Sequence, residues 1–279
     1  MLSSVDRRLR TKKINMTTID IQYTDQVATV WLNRPAVHNA LNGEMIHELF
    51  TFFTEVACNK QIRAVVIRGK GDSFCSGADL NWMKEVSKYN YDQNFLESKT
   101  LARCLFTVKS CPKPVVSVVH GACMGGANGV VSASDIVIAA NTTRFRFSEV
   151  SLGLVPAVIS PYVTDKIGKS HAQRLFLLAE EFKAAEAQQY GLVHYVMEEQ
   201  EIESKIQEIL KKIVKNSPEA IQSTKLLMQD LDKLMDSENI INCTSEIIAK
   251  ARISDDGQEG MSAFFEKRKP KWALKSGKI

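Results

Sequence analysis

The stretch that decides the fold is Val115-Val-Ser-Val-Val-His-Gly-Ala-Cys-Met-Gly-Gly126. Its first five residues are mostly β-branched and apolar, which is typical of a buried strand. The glycines that follow predict a tight turn, after which a helix is able to begin. A similar order occurs earlier in the chain, where the apolar residues 64–67 precede Cys75-Ser-Gly-Ala-Asp-Leu80. The sequence therefore predicts two strands that each lead into a turn of small residues.

The two turns predict a pair of hydrogen-bond donors. Backbone N–H groups at the start of a helix have no partner within it, and small residues let a substrate approach the backbone. If the N–H groups of Ala78 and Gly126 face one point, they stabilise the oxygen of an activated carbonyl as negative charge develops on it. The carboxylate of Phe147-Ser-Glu149 would then move a proton beside this oxyanion hole. In isolation, such a glutamate is usually a solvated turn residue and a Gly-Gly pair usually marks a loop, so the interpretation rests on the combination.

The wider pattern is α/β up to about Val196 and helical afterwards. Strand-like runs alternate with helical stretches, and the predicted strands are 19–23, 27–32, 64–68, 115–119 and 135–139. The first helix is predicted after Asn42, with an apolar stripe made of Met45, Ile46, Leu49, Phe50, Phe53 and Val56. From about Glu201, one helical stripe comprises Ile202, Ile206, Ile209, Leu210 and Ile213, and another comprises Ile221, Leu226, Leu227, Leu231 and Leu234.

Four further blocks accompany the two turns in a fixed order. They are Leu32-Asn-Arg-Pro35 with Asn39-Ala-Leu41, Phe147-Ser-Glu-Val-Ser-Leu-Gly153, Ala184-Ala-Glu-Ala-Gln-Gln-Tyr-Gly-Leu-Val193 and Glu259-Gly-Met-Ser-Ala-Phe-Phe-Glu-Lys-Arg-Lys-Pro270. From about Met16 to Trp272, the chain therefore resembles the crotonase, or enoyl-CoA hydratase/isomerase, family. The resemblance implies a spiral of ββα units over residues 16–200. It also implies a helical region over 201–279 that builds homotrimers, often paired into hexamers, with an intrachain helical cap as the alternative.

The resemblance implies an acyl-CoA thioester substrate and identifies Glu149, Ala78 and Gly126 as the catalytic groups. Family hydratases carry another glutamate three residues after the second oxyanion-hole glycine, where this chain has Gly129. One carboxylate suffices for a Δ3,Δ2-enoyl-CoA isomerase, which takes a proton from C2 and returns it to C4. However, Gly77-Ala-Asp-Leu-Asn-Trp-Met83 and Gly153-Leu-Val-Pro-Ala-Val-Ile-Ser-Pro-Tyr162 resemble bacterial hydratases of branched glutaconyl-CoA thioesters, which also have a small residue there. We therefore expect a 2-enoyl-CoA hydratase acting on a substrate such as 3-methylglutaconyl-CoA of leucine and isovalerate breakdown, with the isomerase as the alternative.

Contacts with the substrate are predicted on both sides of the two backbone N–H donors and near both ends of the region that resembles the family. The flanking residues are Gly77, Asp79, Leu80 and Gly125, although capping of the following helix is the simpler role for Asp79. By resemblance, Arg34 and the backbone of Ala36 face CoA, and Phe264 and Lys267 lie near its adenine and phosphates. The other basic residues near the C-terminus are expected to form a solvated tail: Arg268, Lys269, Lys271, Lys275 and Lys278.

Composition narrows the possible functions. The 279 residues are 44% hydrophobic, which is enough for a large core, and no apolar run approaches the roughly 20 residues that span a bilayer. Six scattered cysteines indicate a reducing compartment, and Cys75 and Cys123, close to the predicted site, are expected to be apolar filler. The sequence lacks an HExxH pair, a Gly-x-Ser-x-Gly elbow, a P-loop and a dinucleotide fingerprint. We therefore expect no metal and no cofactor beyond the coenzyme A that the substrate carries.

The basic residues near the N- and C-termini allow alternative predictions of localisation and function. Residues 1–15 are expected to be a flexible extension or the product of an early start codon rather than an organelle-targeting segment, which places the protein in the cytoplasm. A net charge of +4 allows weak attraction to nucleic acid, but no RNA-binding motif is present, so no nucleic-acid partner is expected. A CoA-thioester hydrolase would share the oxyanion hole and would differ by releasing the free thiol of CoA.

Overall fold

The structure, a computed structural model, describes residues 16–231 and 236–274. Its strands are β1 Ile19–Thr24, β2 Val27–Leu32, β3 Ala64–Gly69, β4 Val115–Val119, β5 Ala122–Met124, β6 Ile136–Ala140, β7 Arg144–Arg146, β8 Glu181–Lys183 and β9 Tyr195–Met197. Its helices are α1 Gly43–Cys58, α2 Leu80–Val86, α3 Tyr91–Lys109, α4 Ala127–Ala133, α5 Ser160–Leu178, α6 Ala184–Gln189, α7 Glu199–Lys215, α8 Pro218–Leu231, α9 Ser237–Ile253, α10 Asp255–Phe265 and α11 Lys271–Leu274. Short 3-10 turns cover Pro35–Val37 and Glu149–Leu152. The predicted extension 1–15, Leu234, Lys275 and Lys278 lie outside the described residues.

The strands form two sheets. The larger sheet has the order β1-β2-β3-β4-β6-β9 and is parallel except for the antiparallel pair β1 and β2. The smaller sheet has the order β5-β7-β8, with β5 parallel to β7 and β8 antiparallel to β7. From β4 onward the chain moves between the two sheets, because β5 follows β4, β7 and β8 follow β6, and β9 returns to the larger sheet. The predicted α/β spiral with a helical C-terminal part is confirmed.

Alternating residues of the larger sheet face two different apolar layers. Val65 and Ile67 of β3 belong to the main core, whereas Ala64 and Val66 of the same strand belong to a second layer. This alternation follows from the period of two residues along a strand. Helix α7 covers the second layer with its whole predicted stripe, which is Ile202, Ile206, Ile209, Leu210 and Ile213. Both faces of the central strands are therefore buried, as expected for a parallel sheet.

The remaining helices differ in how much they bury. Asn42 caps α1 by accepting a hydrogen bond from the Met45 N–H, as the sequence predicts. On that helix Phe52, which the predicted stripe omits, is fully buried and packs edge-on against Phe53, whereas the predicted Phe50 is only partly buried. By contrast, none of the described side chains of α8 or α9 is fully buried. No helix in the described ranges is both long enough and apolar enough to cross a membrane.

Glu48 joins α1 to the start of β1. Its buried carboxylate accepts hydrogen bonds from the backbone N–H groups of Thr17 at 2.7 Å, Thr18 at 2.9 Å and Ile19 at 3.1 Å. The Thr18 hydroxyl donates to the same carboxylate. A carboxylate is a suitable partner here because it accepts several hydrogen bonds at once and donates none. Glu48 thereby supplies acceptors for the backbone that enters the edge strand β1.

Replacing Glu48 by alanine is expected to lower the free energy of unfolding by about 3 kcal/mol, because buried N–H groups lose their acceptor. Urea denaturation at fixed protein concentration measures the loss. Glu44→Ala is the matched control on the same helix, since within residues 16–231 and 236–274 its exposed carboxylate accepts only from the Thr17 hydroxyl, at 2.6 Å. The control is expected to lose less than about 1 kcal/mol. Equal losses in the two variants would contradict the role given to Glu48.

Candidate active site

Ala78 presents an unused backbone donor. The Leu41 N–H donates to the Gly77 carbonyl at 2.7 Å, and the Asp79 N–H donates to the Leu41 carbonyl at 2.8 Å. A trans peptide unit points its C=O and N–H in opposite directions, so the Ala78 N–H points away from Leu41. Among the described residues it meets no acceptor, and Ala78 is exposed. The first predicted donor is therefore free to bind a ligand.

Gly126 presents a second unused donor on the neighbouring turn. The Gly125 carbonyl accepts from the Asn128 N–H at 3.0 Å, so the Gly126 N–H of the same peptide unit points the other way. It too meets no acceptor within the described part of the chain. A Cβ on Gly126 would lie 3.4 Å from Leu41 Cδ1. Leu41 therefore contacts the first turn through its backbone and lies beside the second through its side chain.

Backbone pairing holds the two turns side by side. The Cys75 N–H donates to the Ala122 carbonyl at 3.0 Å, and the Met124 N–H donates to the Cys75 carbonyl at 3.0 Å. Two residues later, Gly77 has a φ of +98°, and a Cβ there would lie 3.1 Å from the Met124 carbonyl oxygen. Only glycine fits both the left-handed backbone and the close approach without strain. The two turns are thus brought together from segments about 45 residues apart in sequence.

Glu149 lies against the second turn. Its Oε1 is 3.6 Å from the position that a Cβ on Gly125 would occupy. Its Oε2 is buried and has no hydrogen-bond partner among the described residues. Burial raises the pKa of this carboxyl, and a hydrogen bond with its own backbone lowers the pKa to a smaller extent. A carboxylate with an unsatisfied buried oxygen and a raised pKa is typical of an acid/base group in an active site.

Apolar side chains occupy the region beside Gly129. A Cβ on Gly129 would lie 2.6 Å from Ile159 Cγ2 and 2.8 Å from Leu105 Cδ1. Gly129 lies within α4, and both neighbours belong to the main core. A glutamate at this position would therefore displace core side chains. The sequence shows that the glutamate is missing. It carries no local signal that Leu105 and Ile159, which lie on other elements, pack beside Gly129.

Asp79 and Arg34 form an ion pair behind the first turn. Asp79 Oδ1 accepts from the backbone N–H groups of Asn81 at 2.8 Å and Trp82 at 3.2 Å, which confirms its predicted role as a helix cap. Arg34 Nη2 donates to Asp79 Oδ2 at 2.8 Å, and Arg34 Nη1 donates to the Ala40 carbonyl at 2.6 Å. Burial raises the pKa of Asp79, but these hydrogen bonds outweigh it, so the net pKa is lowered. Much of the Arg34 guanidinium is therefore engaged within the protein.

The other predicted CoA contacts lie on exposed surface. Ala36 is exposed in the first 3-10 turn, Leu80 is 75% exposed at the start of α2, and Phe264 is 78% exposed on α10. Lys267 follows α10 with a φ of +54°. Their contacts with CoA stay predictions. The expectation of a solvated tail is wrong for Arg268, because its guanidinium binds Glu259 of α10 at 2.6 and 3.1 Å.

The two cysteines close to the turns are buried and carry free thiols. Burial raises the pKa of Cys75 to about 12 and that of Cys123 well above its ordinary value. Because the thiolate is the nucleophilic form, neither residue is suited to attack a thioester. This agrees with their prediction as apolar filler.

Asn128 is a residue of the site that sequence analysis missed. It is fully buried, and its side-chain amide donates to carbonyls of the second turn and of β7. The available signal was a polar residue between Ala127 and Gly129, in a helix of otherwise small or apolar residues except Ser132. That signal gives no partner, because the accepting carbonyl of Arg146 lies 18 residues away in sequence.

Comparisons with known proteins agree with this geometry. The family model for enoyl-CoA hydratase/isomerase matches residues 22–275. The structure of an enoyl-CoA hydratase from Shewanella pealeana superposes with a TM-score of 0.90 and 37% identity, over 92% of this chain and 97% of that one. A short-chain-enoyl-CoA hydratase from Clostridium acetobutylicum is 31% identical over 261 residues, which is 92% of this chain and 97% of the relative.

A relative named as an isomerase is also similar to this chain. The Δ3,5-Δ2,4-dienoyl-CoA isomerase of Dictyostelium discoideum is 28% identical over 254 residues, which is 88% of this chain and 86% of the relative. Hydratases and an isomerase are thus similar to this chain in sequence, and the solved hydratase also has the same fold. With two free backbone donors on adjacent turns and one buried carboxylate beside them, the chain is an enzyme of the crotonase family and belongs to the enoyl-CoA hydratase/isomerase group.

Proposed function

We propose that this enzyme is a hydratase that adds water across the C2=C3 bond of a 2-enoyl-CoA thioester. The observation that carries the proposal is the placement of Glu149, whose Oε1 lies beside Gly125 and whose Oε2 is buried without a partner. The free N–H groups of Ala78 and Gly126 supply the second requirement, which is stabilisation of the thioester oxygen.

The proposed reaction uses one carboxylate for both proton transfers. The two N–H groups bind the thioester oxygen, and Glu149 takes a proton from a water molecule whose oxygen forms a bond to C3. The π electrons of the C2=C3 bond move towards the thioester, and the developing negative charge rests on the bound oxygen. Glu149 then delivers its proton to C2. The product is a 3-hydroxyacyl-CoA, and the carboxylate is regenerated.

For the acyl group we propose a 3-methyl-branched glutaconyl thioester, as in leucine breakdown. The packing of Leu105 and Ile159 beside Gly129 supports chemistry with a single carboxylate. A 3-methyl substituent makes C3 better able to carry positive charge, which reduces the need for a second catalytic group. Coenzyme A enters as part of this substrate, and the proposed reaction requires no further cofactor.

Isomerisation of a 3-enoyl-CoA is the second candidate. The same observation favours it, because one carboxylate that removes a proton from C2 and returns it to C4 needs no partner at Gly129. The oxyanion hole would stabilise the dienolate formed between the two proton transfers. The two reactions therefore differ in whether a water molecule occupies the space beside C3.

We also propose that copies of the chain pack against one another through α8, α9 and α10, as homotrimers or hexamers. Large apolar side chains on these helices are exposed, including Leu226, Met228, Ile241, Ile248 and Ile253. A groove of about 710 Å³ between the helices adds Ile247, Met261 and Trp272 to this surface. An apolar surface of this extent is typical of a protein interface.

Loss of the conjugated-thioester absorbance tests the proposed reaction directly. We expect rapid loss with 3-methylglutaconyl-CoA and slower loss with crotonyl-CoA, because C3 of the branched substrate carries two carbon substituents rather than one and is better able to carry positive charge. Release of free thiol, followed with a thiol reagent, should not accompany it. No loss with either substrate, together with gain of conjugation from a 3-enoyl-CoA, would replace hydration by isomerisation.

Glu149→Gln is expected to lower kcat about 10³-fold, because the amide neither accepts nor delivers the proton. In the wild type, kcat/KM should rise with pH through the raised pKa of Glu149 and become flat above it, since the carboxylate is the active form in the free enzyme. Glu181→Gln is the control, since Glu181 forms an exposed ion pair with Arg144 at 3.3 Å, and it should keep kcat within about twofold. A Glu149→Gln enzyme that retains a tenth of wild-type kcat would exclude Glu149 as the proton carrier.

Gly129→Ala is expected to reduce the free energy of unfolding by about 2 kcal/mol through overpacking against Ile159 and Leu105. The direction of the change in the free energy of unfolding is informative, because alanine normally stabilises a helix relative to glycine. Gly43→Ala is the control, since its Cβ would meet only Trp82 Nε1, at 3.8 Å. The double variant Gly129→Ala/Ile159→Ala should lose less free energy of unfolding than the sum of the losses in the two single variants. A stabilising Gly129→Ala, measured by urea denaturation, would show that a side chain fits there.

A further inference from the structure

The side-chain amide of Asn128 connects three backbone carbonyls. Its Nδ2 lies 2.9 Å from the Arg146 carbonyl, 3.2 Å from that of Gly125 and 3.3 Å from that of Cys123. Asn128 is 0% exposed, so water does not compete for these contacts. Its Oδ1 accepts a hydrogen bond from the Cys123 thiol at 3.3 Å. All polar atoms of this side chain are thus used within the protein.

The Arg146 carbonyl is the point where the second turn meets the strand that leads to Glu149. It accepts both from Asn128 Nδ2 and from the Gly125 N–H, the latter at 2.8 Å. Arg146 is the last residue of β7, where it pairs with Met124 of β5, and its Nε donates to the Ala179 carbonyl at 2.7 Å. Glu149 follows three residues later in the chain. Asn128 therefore contacts both the peptide unit that carries the Gly126 donor and the end of β7, three residues before Glu149.

We propose that Asn128 is a positioning residue that fixes the spacing between the Gly126 N–H and the Glu149 carboxylate. It holds the Gly125 carbonyl, whose peptide unit orients the Gly126 N–H, and it holds the end of β7. The inference rests on the proposed function, because the spacing matters only if donor and carboxylate act on one substrate. Reacting groups lose rate steeply when their mutual position shifts by even 1 Å.

The backbone hydrogen bonds around Asn128 predict that the fold survives its removal. Without the amide, the Arg146 carbonyl still accepts from the Gly125 N–H, and the Gly125 carbonyl still accepts from the backbone N–H of residue 128. The folded chain is therefore retained, while the turn and β7 lose the side chain that joins them. An effect of the substitution on kcat can therefore be distinguished from an effect on folding.

Two variants and a matched control test the proposal. Asn128→Ala removes the amide. In Asn128→Ser, the hydroxyl is able to bond the Gly125 carbonyl within the same turn but is too short to reach the Arg146 carbonyl. Thr143→Val is the control, because Thr143 is equally buried and its hydroxyl donates at 3.1 Å to the carbonyl of Val119, the last residue of β4, rather than to the Gly125 or Arg146 carbonyl. Melting temperatures rank the three variants by stability.

We expect both Asn128 variants to lose about 10- to 100-fold in kcat, with KM within about threefold of the wild type. Thr143→Val should keep kcat within about twofold. Three results would each overturn the proposal: kcat unchanged in Asn128→Ala, full recovery of kcat in Asn128→Ser, or an equal loss of kcat in Thr143→Val at equal melting temperature.

A second readout separates failure of this inference from failure of the proposed function. Acetoacetyl-CoA forms an enolate whose near-ultraviolet absorbance increases when an oxyanion hole stabilises it, and this requires no turnover. The expected result is an enolate absorbance that is strong with the wild type, weaker with Asn128→Ala and retained with Glu149→Gln. With that result the role of Asn128 stands even where neither enoyl substrate reacts. If Asn128→Ala leaves the enolate signal unchanged, or the wild type gives none, Asn128 does not orient a working donor.

Discussion

The site depends on two peptide units whose carbonyls are bound inside the protein. The Gly77 carbonyl is held by the Leu41 N–H, and the Gly125 carbonyl is held by the Asn128 N–H. Because each unit is trans and planar, fixing the carbonyl fixes the opposite N–H, and both N–H groups are left without a partner in the described structure. Backbone donors held in this way need no reorganisation when charge develops on a ligand, which is the main source of catalytic power in an oxyanion hole.

The same packing explains the placement of the single carboxylate. Gly125 leaves space for Glu149 Oε1, while Leu105 and Ile159 fill the region beside Gly129. Burial of Glu149 disfavours its charged form and raises its pKa. A carboxylate placed like this is unfavourable for stability, since one buried oxygen has no partner. Proteins tolerate such a group where it acts on a ligand, and the adjacent donors supply the place for one.

The C-terminal helices meet the α/β part in two ways. Helix α7 lays a continuous apolar stripe on the outer face of the larger sheet. Helix α8 is joined by polar contacts, in which Lys225 Nζ binds Asp135 Oδ2 at 2.5 Å and the Lys113 carbonyl at 3.0 Å. The same carboxylate accepts from the Val115 N–H at 2.7 Å, at the start of β4. These contacts place α8 on the core, where Ile221 packs against the second apolar layer. Leu226 and Met228 of the same helix stay exposed, which is consistent with a surface for neighbouring copies.

The three-residue strand β9 was not predicted from the sequence. The sequence by itself determined the α/β class, the other five strands of the larger sheet, the first helix with its Asn42 cap, and the α7 stripe. Each of these follows from local spacing of apolar residues and from capping chemistry. It also determined the two glycine-containing turns and the lone glutamate. Tertiary structure alone decided how Leu41 lies between the turns, how Asn128 reaches Arg146, and what fills the space beside Gly129. It likewise paired Arg34 with Asp79 and Arg268 with Glu259. The physical reason is that these contacts join residues distant in sequence, whose hydrogen bonds and close packing leave no periodic pattern along the chain.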